Sequence, residues 1–198
     1  SYEGTLLHEI YEGAVRLQIR YARRLGLPWG ISESCYNQVD SHQVYQYRAF
    51  GVPALGMKRG LADDLVIAPY AGAMALMVAP KAAARNLERL VAHGALGRFG
   101  LYEALDWTPS RLRTTSGEPF VLVRSWMTHH GGMTLLALDY ALNDKPMQRR
   151  FLADPQLKSA QLLLQERIPL ARPRLRAAIA SAEAAEIRKD EKREAAAR

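Results

Sequence analysis

The stretch LHEIYEGAVRLQIRYARRLGLP, residues 7–28, is the clearest guide to the fold. Its apolar residues return every three or four positions, and only Gln18 interrupts the stripe, which predicts an amphipathic helix. Gly26 and Pro28 follow the last apolar position, as expected where a helix ends. The chain therefore starts with a helix that has one face to bury.

Similar patterns predict further helices, joined by long polar segments. Helices are expected over Asp63–Val78, from Pro80 to Gly94, over Met133–Leu142 and Met147–Leu152, and from Pro155 after an Asp154 cap, with a short strand at Phe120–Val123. The segments Trp29–Gly60 and Leu96–Leu112 are rich in glycine and aromatic residues and show no helical period. Loops of this length are usually functional. We therefore predict an all-α fold whose long loops carry the chemistry, and a short β hairpin within them is compatible with this prediction.

Composition narrows the possible functions. The chain has 198 residues, of which 48% are hydrophobic and 24% charged, values typical of a globular domain. The single cysteine, Cys35, excludes an internal disulfide. The net charge of +7 is spread along the chain without a dense basic stripe, so no nucleic-acid partner is expected. The longest uncharged run, Leu65–Pro80, is too short and too interrupted for a membrane span.

Two glutamates stand out within the glycine- and aromatic-rich segments. Glu33 follows Trp29 in the first segment, and Glu103 lies between Tyr102 and Trp107 in the second. Cleavage of a glycosidic bond needs two carboxyl groups, one to protonate the leaving oxygen and one to attack the anomeric carbon or activate water. Aromatic rings offer flat apolar faces to sugars. A plainer interpretation is that each glutamate caps a helix or pairs with an arginine.

Other polar residues have plainer interpretations as well. His129 and His130 are adjacent, point about 100° apart on a helix and have no HExxH spacing, so no metal is expected and a role in packing or lining a pocket is favoured. Asp63 and Asp64 are interpreted as a helix start rather than a like-charge pair. Cys35 has no base nearby in the sequence and is interpreted as a packed residue.

Several motifs occur together and in a fixed order. They are WGISES (29–34), YQYRAFGVP (45–53), LGMKRGLADDLVIAPYA (55–71), GALGRFGLYEALDWTPSRL (94–112), RSWMTHHGGM (124–133) and LLLQERIP (162–169). In these motifs the sequence resembles the glycoamylase-like catalytic region of cyclic β-1,2-glucan synthases, over about residues 4–169. Several ordered motifs make the resemblance specific, although each alone would be weak.

The resemblance implies part of an (α/α)6 toroid, its C-terminal half, over residues 1–170, followed by an alanine- and charge-rich tail at 171–198, either helical or disordered. It implies cleavage and religation, or hydrolysis, of β-1,2-glucan without a cofactor, with Glu33 and Glu103 as the catalytic carboxyls. The residues expected to bind the sugar are Trp29, Tyr36, Gln46, Tyr47, Arg48, Tyr102, Trp107, His129 and His130.

The resemblance also implies a setting. The expected partners are a β-1,2-linked glucan chain and the remainder of a parent polypeptide, and the expected place is the cytoplasmic side of a bacterial inner membrane, with this segment itself soluble. Two alternatives remain open: a non-catalytic module that binds glucan or a neighbouring domain, and a structural helical domain whose basic tail meets an acidic partner.

Overall fold

A computed structural model describes residues 5–56, 60–112 and 117–160. These residues belong to a compact unit that spans Ser1–Leu164, while a second unit, Gln165–Arg198, and the predicted tail lie outside the described residues. The described helices are α1 (Leu6–Arg24), α2 (Pro69–Met74), α3 (Pro80–Ala92), α4 (Thr128–Leu142), α5 (Pro146–Ala153) and α6 (Pro155–Ala160). The strands are β1 (Ser34–Val39), β2 (Tyr45–Arg48), β3 (Val66–Ile67), β4 (Leu96–Gly97), β5 (Gly100–Leu101), β6 (Ala104–Asp106) and β7 (Val121–Val123).

The expectation of an all-α fold is wrong, because the described residues form a mixed structure of helices and three small antiparallel sheets. Strands β1 and β2 form a hairpin, β4 and β5 form a second one, and the third sheet has the order β3-β6-β7. Several strands are only two or three residues long, too short to show an alternating pattern in the sequence. In the β3-β6-β7 sheet the pairing joins segments that are far apart along the chain, so it depends on tertiary structure.

Several of the predicted helices are confirmed, and one is wrong in part. The first is confirmed as α1, in which the Thr5 side chain accepts a hydrogen bond from the His8 N–H and Gly26 follows with a positive φ of 70°. Helix α3 begins at Pro80, as predicted, and Asp154 caps α6 by accepting from the Gln156 N–H. The helix predicted over Asp63–Val78 is wrong in its first part, which contains β3. Only α2 and a 3₁₀ turn at Ala75–Met77 follow it.

The three-stranded sheet forms the centre of the core. Ile67, Leu105 and Val123 are almost completely buried there, one from each strand. Burying a side chain of this size contributes about 1.5–3 kcal/mol, so the sheet is a large part of what holds the described region together. Helix α2 follows β3 along the chain and packs against both α3 and α4. A second, smaller core cluster joins α1 to α3 through Ala22 and Ala83.

Candidate functional site

The segment Trp29–Ser34 is clamped by side chains from two helices. The Gln18 amide of α1 donates to the Ile31 carbonyl and accepts from the Ile31 N–H, at 2.7 and 3.0 Å. The Asn86 amide of α3 does the same for the N–H and carbonyl of Trp29. Gly30 has a φ of 131°, and a Cβ there would lie 2.9 Å from the Ala68 carbonyl oxygen, so glycine is required. The clamp fixes the chain that carries Glu33.

Glu33 is exposed at the end of this clamped segment. Its carbonyl accepts a hydrogen bond from the Tyr70 hydroxyl at 3.1 Å, and the same hydroxyl lies 2.8 Å from Ser32 Oγ. The backbone of Glu33 is therefore held while its carboxyl group remains accessible to solvent and to a ligand.

Glu103 is buried, with its side chain 1% exposed. Its Oε1 accepts from the Cys35 N–H at 3.1 Å, and both carboxyl oxygens lie 3.0 Å from His130 Nδ1. The backbone N–H of Glu103 donates to the Ser125 carbonyl at 3.0 Å, which fixes the residue between β5 and β6. A charged group at this depth needs such partners, because burial of an unpaired carboxylate is costly.

His130 lies in the first turn of α4 and is itself buried. Its ring stacks on Tyr70 of α2, with centroids 3.7 Å apart and an angle of 9° between the planes. Its Nε2 lies 3.5 Å from the hydroxyl of Tyr47. The ring is therefore held on one edge by Glu103 and on one face by Tyr70, and its other edge points to Tyr47.

Tyr47 lies beside these groups. It stands opposite Cys35 in the β1–β2 hairpin, and its hydroxyl faces His130 Nε2. Burial of the hydroxyl and the negative charge of Glu33 raise the pKa of Tyr47, although 40% of the residue's surface is exposed. Burial is also the main cause that raises the pKa of Tyr70, and Glu33 and Glu103 raise it further. We call Glu33, Tyr47, Tyr70, Glu103 and His130 the two-glutamate cluster.

A cavity of about 420 Å³ opens beside this cluster. Tyr70, Glu103 and His130 line its polar part. An aromatic wall continues from them: Trp126, 40% exposed, contacts Tyr102 and Phe99 at ring-centroid distances of 4.9 and 5.2 Å. A cavity with apolar rings and a few convergent polar groups is typical of a site for a small ligand or one unit of a polymer.

Most of the other predicted site residues lie away from the cavity, and only His129 of those described next is beside the cluster. The Trp29 ring is buried in the smaller core cluster, and Trp107 packs against Phe120 and His93. Tyr36 is buried, and the guanidinium groups of Arg48 and Arg111 lie 4.8 and 4.9 Å from the centre of its ring. Gln46 alternates with Tyr47 along β2, so it is on the opposite face of that strand. His129 is exposed beside His130, with ring centroids 4.0 Å apart.

Sequence reasoning missed several residues that build the site. Tyr70, Asn86, Trp126 and Phe99 were not predicted to contribute, and Gln18 was seen only as a break in an apolar stripe. A polar residue in the buried stripe of a helix is a signal that a specific hydrogen bond is made there. Such a signal identifies the residue but not its partner, which lies on another element.

Asp64 was also misinterpreted. It does not start a helix but lies in extended backbone, where its carboxylate pairs with Arg48 and Arg111. Within residues 5–56, 60–112 and 117–160, no group of three or more His, Cys, Asp or Glu side chains is arranged to hold a metal ion. Within the same ranges, no helix has the length and apolar content that a membrane span requires.

Comparison with known proteins places this geometry in a family. The family model described as "Glycoamylase: Putative glucoamylase" matches residues 2–155. The chain belongs to the glycoamylase family. It is also 44% identical over 167 residues to the cyclic beta-(1,2)-glucan synthase NdvB of Rhizobium meliloti (strain 1021). The match covers 84% of this chain and 6% of that relative, so the chain spans only a small part of the synthase's length. Membership of the glycoamylase family agrees with the predicted resemblance.

Proposed function

We propose that the chain is a carbohydrate-active domain that cleaves β-1,2-linked glucan and passes the cleaved end to a sugar hydroxyl or to water. The observation that carries this proposal is the two-glutamate cluster beside a cavity with an aromatic wall. There Glu103 lies 3.0 Å from His130 Nδ1, and Tyr70 holds the backbone of exposed Glu33. The family match and the glucan synthase activity of the relative support glucan as the substrate class.

The proposed chemistry uses both glutamates. One carboxyl protonates the glycosidic oxygen as its bond to the anomeric carbon breaks, and the other either forms a bond to that carbon or activates an acceptor. If a glycosyl intermediate forms, attack by a hydroxyl of the same chain closes a ring, whereas attack by water hydrolyses the chain. The aromatic wall of Tyr102 and Trp126 would hold a glucose ring, and exposed His129 would contact its hydroxyls.

We propose further that this activity belongs to a longer polypeptide, because the relative that the chain matches extends far beyond the matched region. The rest of that polypeptide would be the chain's partner, and the cytoplasmic side of a bacterial inner membrane its location. Fractionation of cells, with antibodies against this segment, tests the location: recovery with the inner membrane supports it, and recovery elsewhere contradicts it.

The central experiment is incubation with linear β-1,2-glucan, followed by mass spectrometry of the products. It is done with this chain and with a longer polypeptide that carries it. Ring products lack one water relative to the linear chain of equal length, and hydrolysis gives shorter linear chains. Glu33→Gln and Glu103→Gln are each expected to lower turnover by about 10²–10⁴-fold, the usual contribution of a positioned acid or base.

Glu88→Gln is the matched control, since Glu88 is exposed on α3, away from the two-glutamate cluster. It should keep the wild-type rate. Wild-type rates in both cluster variants would contradict the assignment of the two carboxyls.

A second candidate function is glucan binding without catalysis. It is favoured by the state of Glu103, whose two oxygens are already engaged by Cys35 and His130 and whose side chain is almost fully buried. Measurable affinity for β-1,2-glucan without any change in its length distribution, in the longer polypeptide, would support this function and exclude catalysis.

A further inference from the structure

We propose that Gly131 determines the size of the sugar unit that the cavity beside the two-glutamate cluster accepts. The bare backbone at this position leaves open a part of the cavity that a side chain would fill. The inference rests on the proposed function, which makes a unit of β-1,2-linked glucan the ligand. It adds to the site a residue on the wall that α4 forms.

One face of α4 lines this cavity. The lining includes members of α4 that recur every three or four positions, namely Thr128, Gly131, Thr134, Leu135 and Leu138. Residues with this spacing lie on the same face of a helix. Gly131 is in the middle of that face, so a side chain at this position would point into the cavity between those of Thr128 and Thr134.

The structure has room for a side chain at Gly131. A Cβ built on this residue would meet no heavy atom within 4 Å, apart from its chain neighbours and the nearby backbone of α4. The φ of Gly131 is not positive, so an L-residue can adopt the same backbone conformation. Neither crowding nor backbone conformation therefore requires glycine here, and the open space belongs to the cavity.

A side chain at position 131 would take up volume that a ligand needs. In an α-helix side chains lean toward the N-terminus, so this one would extend over Met127 and Thr128, which both line the cavity. The cavity measures about 420 Å³, near the lower end of the range of about 300–1,000 Å³ for small-ligand sites. Little of this volume is spare for a glucose unit that stacks on the aromatic wall.

Gly132 provides a matched control. It is the next residue of α4, it also has no positive φ, and a Cβ there would likewise meet no heavy atom within 4 Å. It lies about 100° further round the helix and does not line the cavity. The same substitution at the two positions therefore changes the helix similarly, but it changes the cavity only at position 131.

Isothermal titration calorimetry of the full chain with a linear β-1,2-glucan oligosaccharide tests the inference. Gly131→Leu should weaken binding by about tenfold or more, because the leucine side chain and the sugar would compete for the same volume. Gly131→Ala adds one methyl group and should weaken binding by about two- to fivefold. Gly132→Leu and Gly132→Ala should keep the wild-type affinity within about twofold.

Urea denaturation of the four variants separates an effect on binding from an effect on folding. Alanine has a higher helix propensity than glycine, so both alanine variants should unfold at a urea concentration equal to or above that of wild type. If a leucine variant does not fold, the two alanine variants decide. Equal affinities of Gly131→Ala and Gly132→Ala would then overturn the inference.

The remaining outcomes distinguish this inference from the proposed function. If wild type binds the oligosaccharide and leucine at position 131 has no more effect than leucine at 132, the inference is overturned and the proposed function stands. Binding without cleavage contradicts the proposed cleavage, and the loss at position 131 alone still supports the inference. Absence of binding in wild type contradicts glucan as the ligand and overturns both.

Discussion

Two carboxylate clusters lie on the two sides of one hairpin, and they differ in the side chains that face the carboxylates. Tyr47 of the hairpin belongs to the two-glutamate cluster. Cys35, which pairs with Tyr47 across the hairpin, donates its backbone N–H to the Glu103 carboxyl. The other cluster consists of Asp64, Asp106 and Arg111, and Arg48 also joins it. Because side chains alternate along a strand, Tyr47 and Arg48 fall on opposite faces of β2.

In the second cluster, which we call the arginine cluster, both carboxylates are paired with arginine. Arg111 Nε donates to Asp106 Oδ2 at 2.7 Å, and Asp106 also accepts from the backbone N–H groups of Asn37 and Thr108. A guanidinium keeps its charge at all ordinary pH values, so the burial and charge pairing here hold structure but move no proton. Imidazole and phenol can change protonation, and the two-glutamate cluster ends at an exposed carboxyl. The identity of the partner, rather than burial, separates a structural carboxylate from one suited to chemistry.

The largest expected effect on stability is at Asp106, in the arginine cluster. Asp106→Ala removes a buried carboxylate that pairs with half-buried Arg111 and accepts from two backbone N–H groups, so it should lower the free energy of unfolding by about 3–5 kcal/mol. Urea denaturation measures the change. Asp144→Ala is the control: its pair with Arg149 is exposed, and its loss should cost about 0–1 kcal/mol. Equal losses in the two variants would show that the Asp106 pair is no more important than a surface pair.

Glu103→Gln should have a smaller effect on folding. The amide oxygen can still accept from the Cys35 N–H, whereas the charge that faces His130 is lost. We expect a decrease of about 1–3 kcal/mol in the free energy of unfolding, measured in the same way. A decrease as large as that of Asp106→Ala would mean that Glu103 serves the fold in the same way as Asp106.

Alkaline pH distinguishes the two clusters, because groups with a raised pKa lie on the side of the hairpin that carries the two-glutamate cluster. Burial, followed by the charge of Glu103, raises the pKa of the Cys35 thiol above its ordinary 9.0, and burial raises the pKa of Tyr70 above 10.0. Groups whose folded pKa is raised contribute stability that is fully present below their unfolded pKa. This stability is lost as pH rises from the unfolded pKa through the folded pKa. The free energy of unfolding should therefore decrease from about pH 9 upward.

Urea denaturation at about pH 7 and about pH 10.5 measures this slope. Tyr70→Phe keeps the ring that stacks on His130 but removes one ionisable group, so its stability should decrease less steeply with pH than that of wild type. An identical slope would show that Tyr70 makes no contribution to the alkaline transition.

The smallest effect concerns the cavity wall. Trp126→Ala should weaken binding of a β-1,2-glucan oligosaccharide by about 1 kcal/mol, about fivefold, because it removes a flat apolar surface. Phe151→Ala on α5 is the control, since Phe151 is exposed and does not line the cavity. Isothermal titration calorimetry gives both affinities. Equal affinity in the Trp126 variant and wild type would exclude this wall as a sugar site.

Local pattern was enough to predict part of the molecule. The apolar spacing predicted α1 and its end at Gly26, and prolines at first-turn positions predicted the starts of α3 and α6. The short strand predicted at Phe120–Val123 is present as β7. Residue types and the family resemblance predicted Glu33 and Glu103 as the catalytic carboxyls, and these roles stay a prediction.

The tertiary structure decided the rest. The β3-β6-β7 sheet pairs Val66 with Asp106 and Leu105 with Leu122. Strands of two or three residues are too short to show a periodicity that would predict such pairs. Likewise, the chain alone did not show that Glu103 would meet the backbone of Cys35 or that Tyr70 would stack on His130. Helix ends follow from neighbours a few residues away. The surroundings of a buried charge follow from contacts between segments that meet only when the chain has folded.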